Sequence, residues 1–403
     1  VSESGPGRPT TTPPTVLVLT DYYLPGYKGG GLTRSVANLV DDLKGACSVW
    51  LLTRDRDLGD RRCYAGVQTR QWTRLGWANV AYVDWYSPAD VVWAVAQARR
   101  LRPDLLYLNS YMSPFSSIAP LLARRVGLTR SRTLLAPRGE LSSSALAIKS
   151  TKKNIYQRVA RSLRLHRGVV FHASTQLEAA DARRHHPNNL VLISADRLRA
   201  GGPPTLEVPP AALKIVQVSR IAPIKNLHRI IRALRQVTSP LLFDIWGPLE
   251  DHSYWNACQD EISKLPPHIG VTYRGPLEPE KVHETFAQSH ASILCSLSEN
   301  FGQSVAESLA AGCPVIVSDS LHWAEFVDGT AGWAVDPLDE TQLSSTLAQV
   351  ATTNQETWRS LRHGCSDALR KAEDAHGGLP TCELIASAIH TVTRPNLSDG
   401  PRE

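Results

Sequence analysis

Short apolar runs of strand length alternate with segments of helical apolar spacing along most of the chain. The clearest unit lies between Ala291 and Asp319. Ala291–Ser296 predicts a buried strand, and Gln303–Ala311 carries Val305, Leu309 and Ala310 at helical spacing. Gly312 then stands where a helix C-terminus wants a residue tolerant of positive φ, and Pro314 prevents continuation. Val315–Val317 predicts the next strand. A β-loop-α-β unit of this kind builds parallel sheets, whose ligands bind outside the carboxyl ends of the strands. Leu297–Gly302 occupies that end.

The same alternation fills both halves of the chain. In the first half, Thr15–Thr20, Val49–Leu52, Leu105–Leu108, Thr133–Ala136 and Val169–Ala173 read as strands. Leu32–Leu43, Ala89–Leu101 and Gln176–Arg184 read as helices, while the aromatic-rich Trp72–Trp85 receives no element. In the second half, strands Leu213–Ser219, Leu241–Trp246 and Val271–Arg274 precede helices Leu227–Val237, Trp255–Leu265 and Glu280–Gln288. Helices Gln342–Thr352 and Thr381–Val392 follow the starting unit. From Asp196 to Ala212 periodicity is lost and Pro and Gly accumulate, which marks the domain boundary. The expected organisation is a leader (1–14), a first domain (15–198), a linker (199–212) and a second domain (213–378). A helix that can pack back on the first domain (379–393) and a tail (394–403) complete it. Repeated alternation in both halves predicts an α/β protein of two doubly wound parallel sheets.

Length and composition agree with that plan. The 403 residues suffice for two ordinary domains, and 42% hydrophobic with 20% charged content is globular. A net charge of +6 suits a small polyanionic ligand or an acidic membrane surface without indicating nucleic acid. The seven cysteines are scattered and never in C-x-x-C spacing, which argues against structural zinc and a disulfide framework and fits a reducing cytoplasm. The leader has no apolar h-region, and no apolar run approaches the roughly 18 residues of a membrane span. Membrane contact is therefore expected only as peripheral contact at the inner face. Its candidate is Ala147–Leu165, where Ile155, Val159 and Leu163 share one spacing. Lys149, Lys152, Lys153, Arg158, Arg161, Arg164 and Arg167 lie along this stretch and just beyond it, without an acidic residue.

Candidate chemistry gathers at the strand ends. Glu299 lies on the loop and Glu307 eight residues later on the helix, so two carboxylates can grip two parts of an elongated polyhydroxylated ligand. Between them the amides of Asn300, Phe301 and Gly302 stand at a helix N-terminus, an anion site. Strand Ile215–Ser219 runs into Arg220, and Lys225 starts the next helix, so both cations can share that cleft. Arginine forks onto two phosphate oxygens and lysine supplies a compact charge. Near the N-terminus a connection of about ten residues ends in Gly29, Gly30 and Gly31. It is too long for a dinucleotide G-x-G-x-x-G turn, yet lets a diphosphate approach a helix N-terminus. No D-x-D motif stands at a plausible strand end, so no metal is expected, and cations with helix amides have to carry the charge.

The string E-N-F-G-x-S-x-x-E-x-x-x-x-G-x-P-V-I from Glu299 resembles the donor-site signature of the family-4 retaining glycosyltransferases of GT-B fold. S-R-(x)4-K-N from Ser219, W-G-P at Trp246–Pro248 and R-G-P-L at Arg274–Leu277 resemble the same family. The resemblance implies two Rossmann-like domains facing across a cleft, a nucleotide-sugar donor, and no cofactor. Arg220 and Lys225 would then hold the diphosphate, with Glu299 on the donor sugar and Glu307 on the ribose diol. Asn300, Phe301 and Gly302 would lend backbone donors, and Gly30 and Gly31 would close over the phosphates. The Arg274–Leu277 backbone would meet the base, with Gly275 and Leu277 as donor-binding positions. Where many relatives carry histidines on the acceptor side, this chain has Asn109 and Arg138. Y-L-N-S and A-P-R-G-E-L look like a sub-group linked to surface polysaccharide assembly, with a glycan, lipid-linked or small-molecule acceptor. A catalytically silent scaffold subunit and a sugar-nucleotide epimerase are the alternatives. His172 reads as a core histidine rather than a catalyst.

Overall fold

The computed structural model describes residues 13–147, 150–196, 204 and 213–391. The leader, linker and tail expected above lie outside the described residues, apart from Pro13, Pro14 and Pro204. Lys149 and the side chain of Lys152 lie outside them too.

The first domain runs β1 (Thr15–Thr20), α1 (Gly31–Asp42), β2 (Ser48–Arg54), β3 (Thr73–Leu75), β4 (Ala78–Val83) and α2 (Pro88–Leu101). It continues with β5 (Leu105–Asn109), α3 (Ala119–Arg125), β6 (Arg132–Ala136), α4 (Ser143–Ala147), α5 (Ser150–Ser162), β7 (Val170–Ala173), α6 (Gln176–His185) and β8 (Val191–Ile193). Its eight strands are ordered β3-β4-β2-β1-β5-β6-β7-β8, parallel except for β3. The central strands carry near-continuous apolar runs because helices cover both faces, and all of β5 is buried. Trp72–Trp85 resolves as the β3–β4 hairpin, and Trp72 packs edge-on to Trp50 of β2 at 4.8 Å between ring centroids.

The second domain runs β9 (Lys214–Val218), α7 (Leu227–Leu234), β10 (Leu241–Trp246), α8 (His252–Ile262), β11 (Ile269–Gly275), α9 (Val282–Ala287) and β12 (Ala291–Leu294). After these come α10 (Gln303–Ala310), β13 (Val315–Ser318), α11 (Ala324–Val327), β14 (Gly332–Val335), α12 (Glu340–Thr352), α13 (Gln355–His376) and α14 (Thr381–His390). Its six strands are all parallel in the order β11-β10-β9-β12-β13-β14. Helix α8 starts three residues ahead of the apolar pattern because Asp251 caps it, accepting from the Tyr254 amide at 2.9 Å. The final helix α14 crosses to the first domain. Leu384, Ile385 and Ala388 join the core beneath β5 and β6, and Thr381 Oγ1 donates to Asp42 at 2.8 Å.

Helix α5 packs on the domain through a face other than its apolar stripe. Tyr156 and Ala160 face inward, while Ile155, Val159 and Leu163 all point to solvent. The apolar stripe is thus an outer face of the domain.

Candidate functional site

In each sheet the strand order reverses beside one strand pair, β1 with β5 and β9 with β12, and loops that leave such a pair open a crevice. Pairing of β9 with β12 brings the cationic and acidic parts of the site together. Leu297 N donates to Ile224 O at 2.9 Å and ties the two loops to each other. Lys225 Nζ is ion-paired with Glu299, and Ser296 Oγ donates to the same carboxylate at 2.7 Å. Both side chains of the pair are only 12% exposed, so their charges act in a partly desolvated space. Arg220 sits farther out: it pairs with Glu250 on the loop after β10 and remains 35% exposed.

Helix α10 begins at Gly302, which holds φ 76° as its N-cap, and no side chain caps this end. The first-turn amides therefore stand toward the cleft that Gln303 and Ser304 line. Trp323 Nε1 donates to Phe301 O and fixes the approach to the helix. A Cβ on Gly302 would lie 2.9 Å from Trp323 Nε1. Gly302→Ala is expected to destabilise the second domain by about 1–2 kcal/mol through the left-handed backbone alone, with the clash added. Thermal unfolding should show this loss, together with a smaller stabilisation by added nucleotide.

The first domain closes the other wall. Gly30 is the N-cap of α1 at φ 60°, and Gly31 abuts Gln303 of α10. Arg34, in the first turn of α1, is ion-paired with Glu307, whose side chain is only 13% exposed. With its amide nitrogen facing the carboxylate, Asn300 donates to Glu178 at 2.9 Å and accepts from Ser174 Oγ at 2.8 Å. Ser142 and Ser298 hydroxyls meet at 3.4 Å. The cleft between the walls has a cavity of about 830 Å³, and Gly30, Gly31, Arg138, Arg220, Lys225, Leu277, Glu299, Asn300, Phe301, Gly302 and Glu307 all line it. That is the size of a small-molecule site.

Three residues expected at the site stand otherwise. Gly275 is not on the cavity wall; its carbonyl accepts from Gly247 N at 2.8 Å and shapes the turn, leaving Leu277 on the wall. Asn109 is buried beneath the floor, where Oδ1 accepts from Arg138 Nε at 2.7 Å. Arg138 reaches the cavity, yet its guanidinium is taken up internally. Nη1 donates to both Asp196 oxygens, at 2.9 and 3.2 Å, and Nη2 to Tyr107 Oη at 3.1 Å. Burial works against the Arg138 charge, but Asp196 outweighs it and raises the pKa. Burial would likewise raise Asp196, and Arg138 instead holds it below the usual carboxylate range. The pair organises the cleft floor rather than offering a free cation. His172 lies under it, bonded to Tyr107 Oη (2.8 Å) and Ser194 O (2.9 Å), with its pKa lowered by burial and then by Arg138.

Among the described residues, no group of three or more His, Cys, Asp or Glu is placed to hold a metal ion. No described helix is long and apolar enough to cross a membrane.

Residues 205–371 match the family model described as glycosyl transferases group 1. The matched stretch is the second domain. The chain is also 29% identical over 153 residues to the poly(glycerol-phosphate) alpha-glucosyltransferase of Bacillus subtilis (strain 168). That match covers 36% of this chain and 22% of the relative, so the chain spans only about a fifth of that protein's length. Solved structures align over both domains. The Anabaena HepE structure in complex with UDP and glucose gives a TM-score of 0.67 at 15% identity, covering 93% of this chain and 99% of that one. Sucrose-phosphate synthase from Thermosynechococcus elongatus gives 0.67 at 15% identity, covering 93% and 97%. WaaG, described as a glycosyltransferase involved in lipopolysaccharide biosynthesis, gives 0.63 at 16% identity, covering 93% and 99%. These likenesses establish the fold as GT-B.

Within that fold, the second domain contributes Lys225, Glu299, Glu307 and the α10 N-terminus to the cleft. Arg34, Glu178 and Asp196, which the sequence did not single out, tie the opposite wall together. Arg34 follows the glycines at helical spacing and was the most accessible of the three to sequence reasoning. Glu178 and Asp196 gain their roles only through partners distant along the chain.

Proposed function

We propose that the protein is a retaining glycosyltransferase that moves a sugar from a nucleotide-sugar donor bound in the interdomain cleft. The observation that carries this reading is the Lys225–Glu299 pair beside the uncapped α10 N-terminus, on neighbouring strands. Breaking the bond between the anomeric carbon and the phosphate oxygen sends the electron pair to the leaving diphosphate. Lys225, the α10 amides and Arg220 meet the charge that develops there, and stabilising it more in the transition state than in the ground state accelerates the step. Glu299 orients the sugar hydroxyls and Glu307 the ribose, which requires Arg34 to release or share Glu307 when donor enters. The acceptor oxygen then bonds to the anomeric carbon on the face the diphosphate leaves. Its proton passes to the departing phosphate oxygen, with Leu277 and the turn beside it against the base. Arg138 and Asn109 shape the acceptor side without contacting the reacting atoms.

The acceptor class is a glycan, a lipid-linked sugar or a small molecule in cell-surface polysaccharide biosynthesis, and the working site is cytoplasmic. UDP-glucose is the first donor to test, given the UDP-containing neighbour and the glucosyltransferase relative. Incubation with nucleotide sugars and extract should release free nucleoside diphosphate, and a protein that binds donor without release is a scaffold. Because fixed cations carry the phosphate charge, the reaction is proposed to need no metal. Chelation by EDTA should leave the rate within about twofold, since a Lewis acid that carried the charge would contribute several kcal/mol. Abolition by EDTA with rescue by magnesium contradicts the metal-free step.

A further inference from the structure

At the amino ends of β6 and β7, opposite the cleft, lies a second cavity of about 500 Å³. Six arginines line it: Arg124, Arg125, Arg130, Arg132, Arg164 and Arg167. None of the six is ion-paired with a carboxylate among the described residues. The cluster is a built feature. Arg124 Nη1 donates to Arg167 O at 2.7 Å and Arg125 Nε to Leu163 O at 3.0 Å, so the end of α3 is laced to the end of α5. Burial and then the charge of Arg132 hold the Arg124 pKa below its usual value. Positive charge is concentrated there without internal compensation.

Apolar side chains surround the arginines where solvent should disfavour them. Leu122, Val126 and Leu128 are exposed beside the α3 arginines, and Val126 is 70% exposed. Ile155, Val159 and Leu163 form the exposed stripe of α5, Leu163 adjoining Arg125. Helix α5 spans about 20 Å by its length; Lys153 in its second turn lines the cleft cavity, and Arg164, two residues past its end, lines the arginine cavity. Scattered exposed leucines are ordinary, but a continuous stripe ending in an uncompensated arginine cavity combines the two features that hold proteins at an anionic lipid interface. A polyanion in water would satisfy the arginines and leave the stripe without a partner.

We propose that this pole of the first domain docks on an anionic lipid surface. The arginine cavity receives lipid phosphate and the α5 stripe enters the headgroup layer. This gives the membrane side of the proposed function a defined site, yet it does not depend on transferase activity. Docking in this orientation lays α5 along the surface and brings the cleft edge near it, within reach of a lipid-borne acceptor.

The test is sedimentation of the full chain with vesicles of phosphatidylcholine alone or mixed with phosphatidylglycerol, across a salt series. Each arginine at such a surface is worth about fivefold in affinity. Arg130, Arg132 and Arg167 are exposed and their side chains make no hydrogen bond among the described residues, so their replacement should leave the fold intact. Arg130→Gln/Arg132→Gln/Arg167→Gln should therefore weaken binding to mixed vesicles about a hundredfold. Ile155→Ser/Val159→Ser/Leu163→Ser should remove the fraction that persists at high salt. Thermal shifts with nucleotide sugars, measured on the same variants, should match the unmodified protein, which separates failure of docking from failure of the cleft reading. Equal binding to both vesicle types, no binding to either, or full binding by the arginine variant overturns the proposal. So does retention by a single-stranded oligonucleotide or soluble polyphosphate without retention by vesicles.

Discussion

Replacing Lys225 by alanine should lower turnover by about two to three orders of magnitude while leaving the protein folded. Lys225 lies inside the cleft with its charge partly desolvated, and deleting one fixed donor aimed at developing charge costs about 2.7–4 kcal/mol of transition-state stabilisation. The loss should fall on kcat as well as on donor affinity, because the diphosphate carries more charge as the bond breaks. Arg220→Ala should cost less. Its guanidinium is more exposed and already shared with Glu250, so solvent and that carboxylate screen its effect. Steady-state release of nucleoside diphosphate measures both variants. Near-normal turnover by Lys225→Ala would remove it from the diphosphate site.

The largest stability effect is expected at Asp196→Ala. The Arg138–Asp196 pair is almost fully buried, with side chains 3% and 7% exposed, and Asp196 also accepts from Ser35 Oγ at 2.6 Å. Removing the carboxylate strands the Arg138 cation in the cleft floor, and breaking one side of a buried pair costs about 3–5 kcal/mol. Removing both charges is a different perturbation. Arg138→Met/Asp196→Leu should recover part of the loss, since an apolar pair of similar volume leaves no orphaned ion. Urea unfolding of the three proteins checks the order. A double variant no more stable than Asp196→Ala would mean the charges are not the main cost.

Much of this architecture was legible in the pattern because parallel strands buried on both faces must be short apolar runs. Strand Leu241–Trp246 falls where the spacing places it, and α10 does so to within a residue. Helix α13 was not legible. Only Trp358 and Leu361 give its buried face large apolar residues; the rest is small or polar, including Cys365, Ala368, Ala372 and the fully buried Arg362. Arg362 survives there because Nη1 donates to Gly312 O at 3.0 Å and Nη2 to Ser289 O. Gly364 is equally uninformative in sequence: a Cβ would meet Thr330 O at 1.9 Å, so the residue marks a close backbone approach. At the cleft, local motifs located Lys225, Glu299 and Glu307, because each sits at a strand end or on the helix that follows. Whether the apolar stripe of α5 is covered was not legible either, because helical spacing reports that a stripe exists, not whether anything packs on it.

Calorimetric titration of UDP-, GDP- and dTDP-linked sugars into the unmodified protein, Lys225→Ala and Glu307→Ala tests the central claim most directly. The transferase reading predicts saturable binding of at least one donor at one site per chain, weakened by about tenfold or more in both variants. No binding of any donor to the unmodified protein, or binding that both variants retain in full, would contradict it.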